Sequence, residues 1–349
     1  MKSDLFSCPV PIQDYPRVVM AHGGGGRLSH QLITQMFQPL FSNPELDTAH
    51  DSALLTVKGR LAFTTDSHVI QPLFYPGGDI GSLAVYGTVN DLAMSGALPR
   101  YLSLGFIIEE GLEMQTLWKV VQRIQDACER TGVNIVTGDT KVIDRRDGES
   151  AELYINTSGI GIIEHDLDIR PACIKPGDHI LVSGDLGRHG IAVLAHREGL
   201  LFESHITSDC APLHDLVRTV IDAGINVHCL RDLTRGGLVS ALVELSRTSN
   251  YGMIVNEEDI PVSSEVQAAC ELLGFDPFFV ANEGRCVVFV PAEQSEKTLA
   301  VLQKHPLGRG AALIGEVTDV ESGGVTARNT YGGSRILDMF SGEQLPRIC

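Results

Sequence analysis

The 349-residue sequence contains no run approaching the roughly 20 apolar residues of a membrane-spanning helix, which excludes a helical anchor. Its opening, Met1-Lys-Ser-Asp-Leu-Phe-Ser-Cys-Pro-Val10, holds no apolar signal core, so a cytoplasmic protein is expected. Basic residues are scarce, 27 Lys and Arg against 44 Asp and Glu, and the net charge of −17 repels nucleic-acid backbones and anionic membranes. A phosphate-bearing ligand must then be small and arrive with a metal. None of the cysteines at positions 8, 128, 173, 210, 229, 270, 286 and 349 stands in a C-x-x-C pair, and most sit in apolar runs, which opposes a zinc site and a disulfide framework. No H-E-x-x-H occurs among the 12 histidines, and neither a P-loop nor a G-x-G-x-x-G is present.

What is present is enough apolar side chain, 43%, to bury a sizeable core at a length about twice that of a typical ~100–200-residue domain. Strands alternate with helices in both halves, so the expected class is α+β or α/β in two domains. Residues 1–17 carry three prolines and read as an irregular arm, followed by domains over 18–168 and 169–340 and a mobile tail over 341–349. Arg60-Leu-Ala-Phe-Thr-Thr65 reads as a strand stopping at Asp66. Ile80 to Ser95 reads as a helix with Val85, Val89 and Leu92 on one face and Asp91 off it. A strand over 101–108 is followed by a helix whose stripe is Leu117, Val120, Val121, Ile124, Ala127 and Cys128, closed by Gly132. Further strands are expected over 153–163, 179–183, 226–230 and 285–290, with helices near 190–198 and over 236–248.

Asp66, Asp139 and Asp232 share a pattern in which an apolar strand ends and a carboxylate follows. Strand ends are where α/β sheets bind ligands, and a hard cation such as Mg²⁺ wants carboxylate oxygens. Each taken singly also reads as a helix N-cap or turn residue. The tracts His22-Gly-Gly-Gly-Gly26, Pro76-Gly-Gly-Asp-Ile-Gly81 and Gly184-x-x-Gly187-x-x-Gly190 have the backbone N–H groups a phosphate needs, or are plain loops. Lys141 and Glu283 are the ionisable candidates outside the carboxylate set, Glu283 lying at a sheet rim where a base can be held, with a solvated loop charge as the competing reading. Cys349 is the last residue, so it is not a prenylation site. About ten flexible residues reach at most ~35 Å, which lets its thiol carry a group between sites; the other reading is an exposed leftover thiol.

The segments Thr64-Thr-Asp66, Pro76-Gly-Gly-Asp-Ile-Gly81, Val89-Asn-Asp-Leu-Ala-Met-Ser-Gly96, Thr137-Gly-Asp-Thr-Lys141, Arg231-Asp-Leu-Thr-Arg-Gly-Gly237 and Ala281-Asn-Glu-Gly284 resemble the ordered motifs of the aminoimidazole ribonucleotide synthetase and selenophosphate synthetase superfamily. With the ending Pro346-Arg-Ile-Cys349 the resemblance narrows to the HypE family, the carbamoyl dehydratases of nickel–iron hydrogenase maturation. It implies Asp66, Asp91 and Asp232 as magnesium ligands, and Asp79, Asp91, Gly138, Asp139 and Thr140 as nucleotide contacts. Lys141, Glu283 and Cys349 are implied as catalytic residues. It further implies a homodimer whose N-terminal strands form a barrel, and a C-terminal α/β domain with a mixed sheet. The partners implied are a HypF carbamoyltransferase that loads Cys349 and a HypC–HypD complex that accepts cyanide.

The implied reaction is ATP-dependent dehydration of a carboxamide on sulfur to a thiocyanate. Selenophosphate synthetase is the nearest competing reading, but its reactive cysteine or selenocysteine and lysine are missing beside His22-Gly-Gly-Gly-Gly-Arg27. A non-catalytic thiol carrier is the other alternative, and it predicts no Mg-dependent ATP turnover.

Overall fold

The computed structural model describes residues 8–9, 14–48, 50, 52–145, 151–200, 206–321 and 323–339. The tail with Cys349, and most of the N-terminal arm, lie outside the described residues.

The first half is built on a four-stranded sheet of order β1-β6-β4-β5, with β1 at Arg60–His68, β4 at Leu98–Glu109, β5 at Asn134–Ile143 and β6 at Leu153–Ile163. A short hairpin, β2 (Phe74–Tyr75) and β3 (Gly78–Asp79), precedes helix α3 (Ile80–Ala93). Helix α4 (Met114–Thr131) is the crossover that lets β4 and β5 run parallel. Its predicted stripe is buried throughout, and Gly132 closes it at φ 69° with its N–H on the Cys128 carbonyl at 2.8 Å. Ahead of β1, α1 (Arg27–Gln31) and α2 (Gln38–Phe41) are joined by a π-helical turn, and α2 lies against β5.

The second half is a mixed seven-stranded sheet of order β13-β12-β9-β11-β7-β10-β8. Its strands are β7 (Asp178–Val182), β8 (Cys229–Asp232), β9 (Tyr251–Asn256), β10 (Cys286–Pro291), β11 (Ala312–Glu321), β12 (Val325–Arg328) and β13 (Ser334–Leu337). Its helices are α5 (Arg188–Arg197), α6 (His214–Asp222), α7 (Gly237–Ser249), α8 (Ser264–Leu273) and α9 (Ser295–Lys304). Among the described residues Cys128, Cys229, Cys270 and Cys286 are buried thiols outside any disulfide.

Two expectations are corrected. β1 does not stop at Asp66, because Asp66, Ser67 and His68 continue the ladder opposite Thr157, Asn156 and Ile155 of β6. Asp139 likewise lies inside β5, opposite Gly105 of β4. Thr65, Ser67 and Asp139 stay polar on the open outer face of this sheet, whereas Asp66 and His68 on the inner face border a cavity rather than the apolar core. Only Asp232 ends its strand as expected. In helix α3, Val85, Val89 and Leu92 are buried and Asp91 is not, as read, and twelve of its fourteen residues are buried because the sheet, α4 and α6 pack around it.

Candidate active site

Strand β1 alternates, so Thr64, Asp66 and His68 point toward α3 while Leu61, Phe63, Thr65 and Ser67 lie more exposed on the outer face. Helix α3 brings Asp91 to the same place, where its carboxylate accepts the Thr64 hydroxyl at 2.9 Å. From the second half, β8 delivers Asp232 and the turn before β10 delivers Glu283; antiparallel pairing sets Asp232 opposite Cys286. Asp66, Asp91, Asp232 and Glu283 thus line one cavity of about 110 Å³, together with His68, Thr234 and Arg235. Gly87 of α3 makes room for it, since a Cβ there would sit 2.9 Å from the His68 ring and 3.3 Å from the Asp66 carboxylate.

The electrostatics follow from burying like charges together. Asp232 is pushed up to about 7, first by burial and then by Asp91. Asp91 is raised by burial, against the Thr64 hydrogen bond. Glu283 is raised well above the usual carboxylate range by burial and then by Asp232, Asp209 and Asp66. Among the described residues no three His, Cys, Asp or Glu side chains form a ready metal cluster. A carboxylate set that holds protons for want of a counter-charge is a fitting place for a divalent cation.

Glu283 is fixed through its backbone. Asp209 accepts the Glu283 N–H at 3.4 Å and the Gly284 N–H at 3.0 Å, while Ala211 N and Asn90 Nδ2 donate to the Glu283 carbonyl at 3.2 and 3.4 Å.

The other candidates lie elsewhere. Asp79 is buried and caps α3, accepting the Ser82 N–H at 2.9 Å; burial raises its pKa. Lys141 and Asp139 form an exposed ion pair at 2.8 Å on β5. With Gly138 and Thr140 they border a second cavity, of about 510 Å³, which His22, Gly23 and Gly25 also line. Phe37, Phe41 and Phe106 give it apolar walls. His22 is buried with its ring Nδ1 accepting the Val19 N–H at 3.0 Å, which leaves its Nε2 without a protein partner.

The remaining glycine tracts have structural explanations. Gly77, at φ 88°, meets the Ser208 backbone where a Cβ would stand 2.7 Å from it, and a Cβ on Gly184 would strike the buried Arg285 guanidinium at 2.7 Å. His68 and Arg235 were not singled out from sequence. The first was legible as the residue two beyond Asp66 on a strand, and the second lies inside the Arg231–Gly237 motif.

Two family models match the chain, the AIR synthase related protein N-terminal domain over 49–163 and the corresponding C-terminal domain over 175–328. The carbamoyl dehydratase HypE of Azotobacter vinelandii is 48% identical over 333 residues, covering 95% of this chain and 97% of its own. A crystal structure of hydrogenase maturation protein HypE in complex with ATP superposes at TM-score 0.90 with 46% identity, covering 95% of this chain and 99% of the other. A HypE–HypF complex structure matches at TM-score 0.77 and 44% identity, covering 88% and 99%.

Proposed function

Because the chain belongs to the HypE family of carbamoyl dehydratases, we propose that it uses ATP to dehydrate a carboxamide carried on the sulfur of Cys349. The product is a thiocyanate whose cyano group becomes the cyanide ligand of hydrogenase iron. The observation that carries this reading is the meeting of Asp66, Asp91 and Asp232 with Glu283 in one small cavity, drawn from both halves of the chain.

In the proposed reaction the carbonyl oxygen of the thiocarbamate attacks the γ-phosphorus of ATP, the bond to the β-bridging oxygen breaks, and ADP leaves. The oxygen is thereby converted to a phosphate leaving group. The nitrogen then loses both protons as the C–O bond breaks, giving S–C≡N and inorganic phosphate. Asp66, Asp91 and Asp232 would hold Mg²⁺, which supplies charge neutralisation on the phosphoryl group when bound. Glu283, whose proton affinity burial and the neighbouring carboxylates raise, would take one nitrogen proton once a bound cation has ionised it, and the departing phosphate takes the other.

The larger cavity supports the nucleotide half of the reading. Its aromatic walls, the Gly138–Thr140 backbone, the glycine tract and the unpartnered Nε2 of His22 suit a base and ribose. Lys141, outside the carboxylate cavity, stands on the sheet face that a second copy would cover in a barrel-forming homodimer. Phe63 on that face is 70% exposed, and Leu61 and Ile107 on the same face are also exposed, which favours such a partner. HypF would load Cys349, and a HypC–HypD complex would accept the cyano group.

Intact mass spectrometry of the S-carbamoylated protein before and after Mg·ATP tests the proposal. Loss of one water from the C-terminal peptide is expected. An unchanged thiocarbamate would leave only a thiol carrier.

A further inference from the structure

Arg235 stands apart from the other arginines around the site. Arg231 pairs with Glu244, and Arg285 is buried against Asp185 at 2.6 Å. Arg235 lines the carboxylate cavity, yet among the described residues it makes no hydrogen bond or salt bridge; only its longer-range field reaches Asp91 and His68.

Its placement is imposed by the chain around it. Leu233 is buried and pinned on both sides, its N–H on the Arg285 carbonyl at 3.1 Å and its carbonyl accepting the Asn282 backbone and side-chain N–H groups at 3.0 and 3.1 Å. Two successive left-handed glycines follow, Gly236 at φ 70° and Gly237 at φ 60°. At Gly237 a Cβ would lie 2.6 Å from the Phe278 carbonyl oxygen. Between these fixed points Thr234 and Arg235 project at the cavity, three residues or fewer beyond Asp232.

The charge balance then needs this guanidinium. A bound divalent cation would ionise carboxyl groups that otherwise hold protons, and a transferring phosphoryl group brings further negative charge to the same 110 Å³. Apart from neutral hydroxyls and the buried His68, Arg235 is the donor the described cavity wall offers to phosphoryl oxygens turned away from the cation. A planar, permanently charged fork suits that task better than an ammonium.

Resting on the phosphoryl-transfer reading above, we infer that Arg235 is a catalytic residue that contacts the γ-phosphoryl oxygens and binds them more strongly in the transition state than in bound ATP. The test uses full-length wild type, Arg235→Ala and Arg235→Lys, all S-carbamoylated at the terminus. The expected result is a fall in kcat for ADP release of ~100-fold or more in Arg235→Ala, with KM for ATP changed less than about threefold. Arg235→Lys should recover part of the loss, and added guanidinium chloride should partly rescue Arg235→Ala alone. An alanine variant with kcat within threefold of wild type, or one whose loss lies wholly in KM, overturns the inference.

A second readout does not depend on the carbamoyl chemistry. Aluminium fluoride with Mg²⁺ should tighten ADP binding by wild type at least tenfold more than by Arg235→Ala. Equal tightening, or none in wild type, overturns the role of Arg235. Absence of ADP release from carbamoylated wild type that nevertheless shows this difference would sink the dehydratase reading and leave the arginine assignment standing.

Discussion

Asn90 accepts the backbone N–H of Leu213 at 2.7 Å through its side-chain oxygen, tying helix α3 of the first half to the segment that leads into α6 of the second. Its amide nitrogen donates to the carbonyls of Ala211 and Glu283 at 3.1 and 3.4 Å. The next residue, Asp91, enters the carboxylate cavity, so one turn of helix both supplies an acid and sets the loop that holds Glu283. Asn90→Ala strands buried N–H and C=O groups, which costs about 1–3 kcal/mol per unsatisfied group. We expect a lower urea midpoint with an unchanged m-value, and kcat reduced more than KM for ATP. A variant as stable as wild type would show that water replaces the amide without loss.

The proton on Asp232 sets a pH dependence with a defined sign. Its folded-state pKa is raised to about 7, first by burial and then by Asp91, whereas an unfolded Asp titrates near ~3.9. Between these values the folded chain holds a proton that the unfolded chain has released. This group's stabilisation is therefore full below about pH 4 and is lost as pH rises to about 7. A divalent cation competes with that proton, so Mg²⁺ should raise the melting temperature more at pH 8 than at pH 6. Equal shifts at both pH values would remove Asp232 from the cation site.

The exposed face of the first sheet predicts self-association. Phe63→Glu puts a charge into the proposed subunit contact without touching the core, since Phe63 is exposed in the single chain. Sedimentation velocity should show the variant at half the wild-type mass, with its helix content unchanged. A dimer that persists would move the contact elsewhere.

Cys349→Ala should leave thermal stability and ATP affinity at wild-type values while abolishing carbamoyl-dependent ADP release. Calorimetry with a non-hydrolysable ATP analogue separates the two effects. Loss of nucleotide binding in this variant would mean that the terminal residue helps to build the site rather than carry the substrate.

Much of this was legible in local pattern and some was not. The α4 stripe and its closing Gly132 are local features, and they fold as read. The end of β1 was misjudged because Thr64-Thr-Asp-Ser-His68 looks too polar for a strand. Pairing with β6 and the open outer face allow it to continue. In α3 the stripe Val85, Val89 and Leu92 is buried as read, but the cover over Leu83, Ala84, Tyr86 and Asn90 comes from elements distant in sequence and leaves no periodic signal. The meeting of Asp232 and Glu283 depends on the β8–β10 ladder, a long-range pairing that no spacing in the sequence encodes.

The four-stranded sheet of the first half has β1 at one edge and β5 at the other. A row of unsatisfied N–H and C=O groups invites any extended peptide to add on. The Asp139–Lys141 ion pair sits on the β5 margin, where charged side chains discourage such indiscriminate strand addition. Newly made chains awaiting a partner would therefore be guarded against aggregation by one residue assigned to the nucleotide, Asp139, and one assigned to catalysis, Lys141. Neutralising both at once should show first as turbidity during refolding, before any effect on turnover is measured.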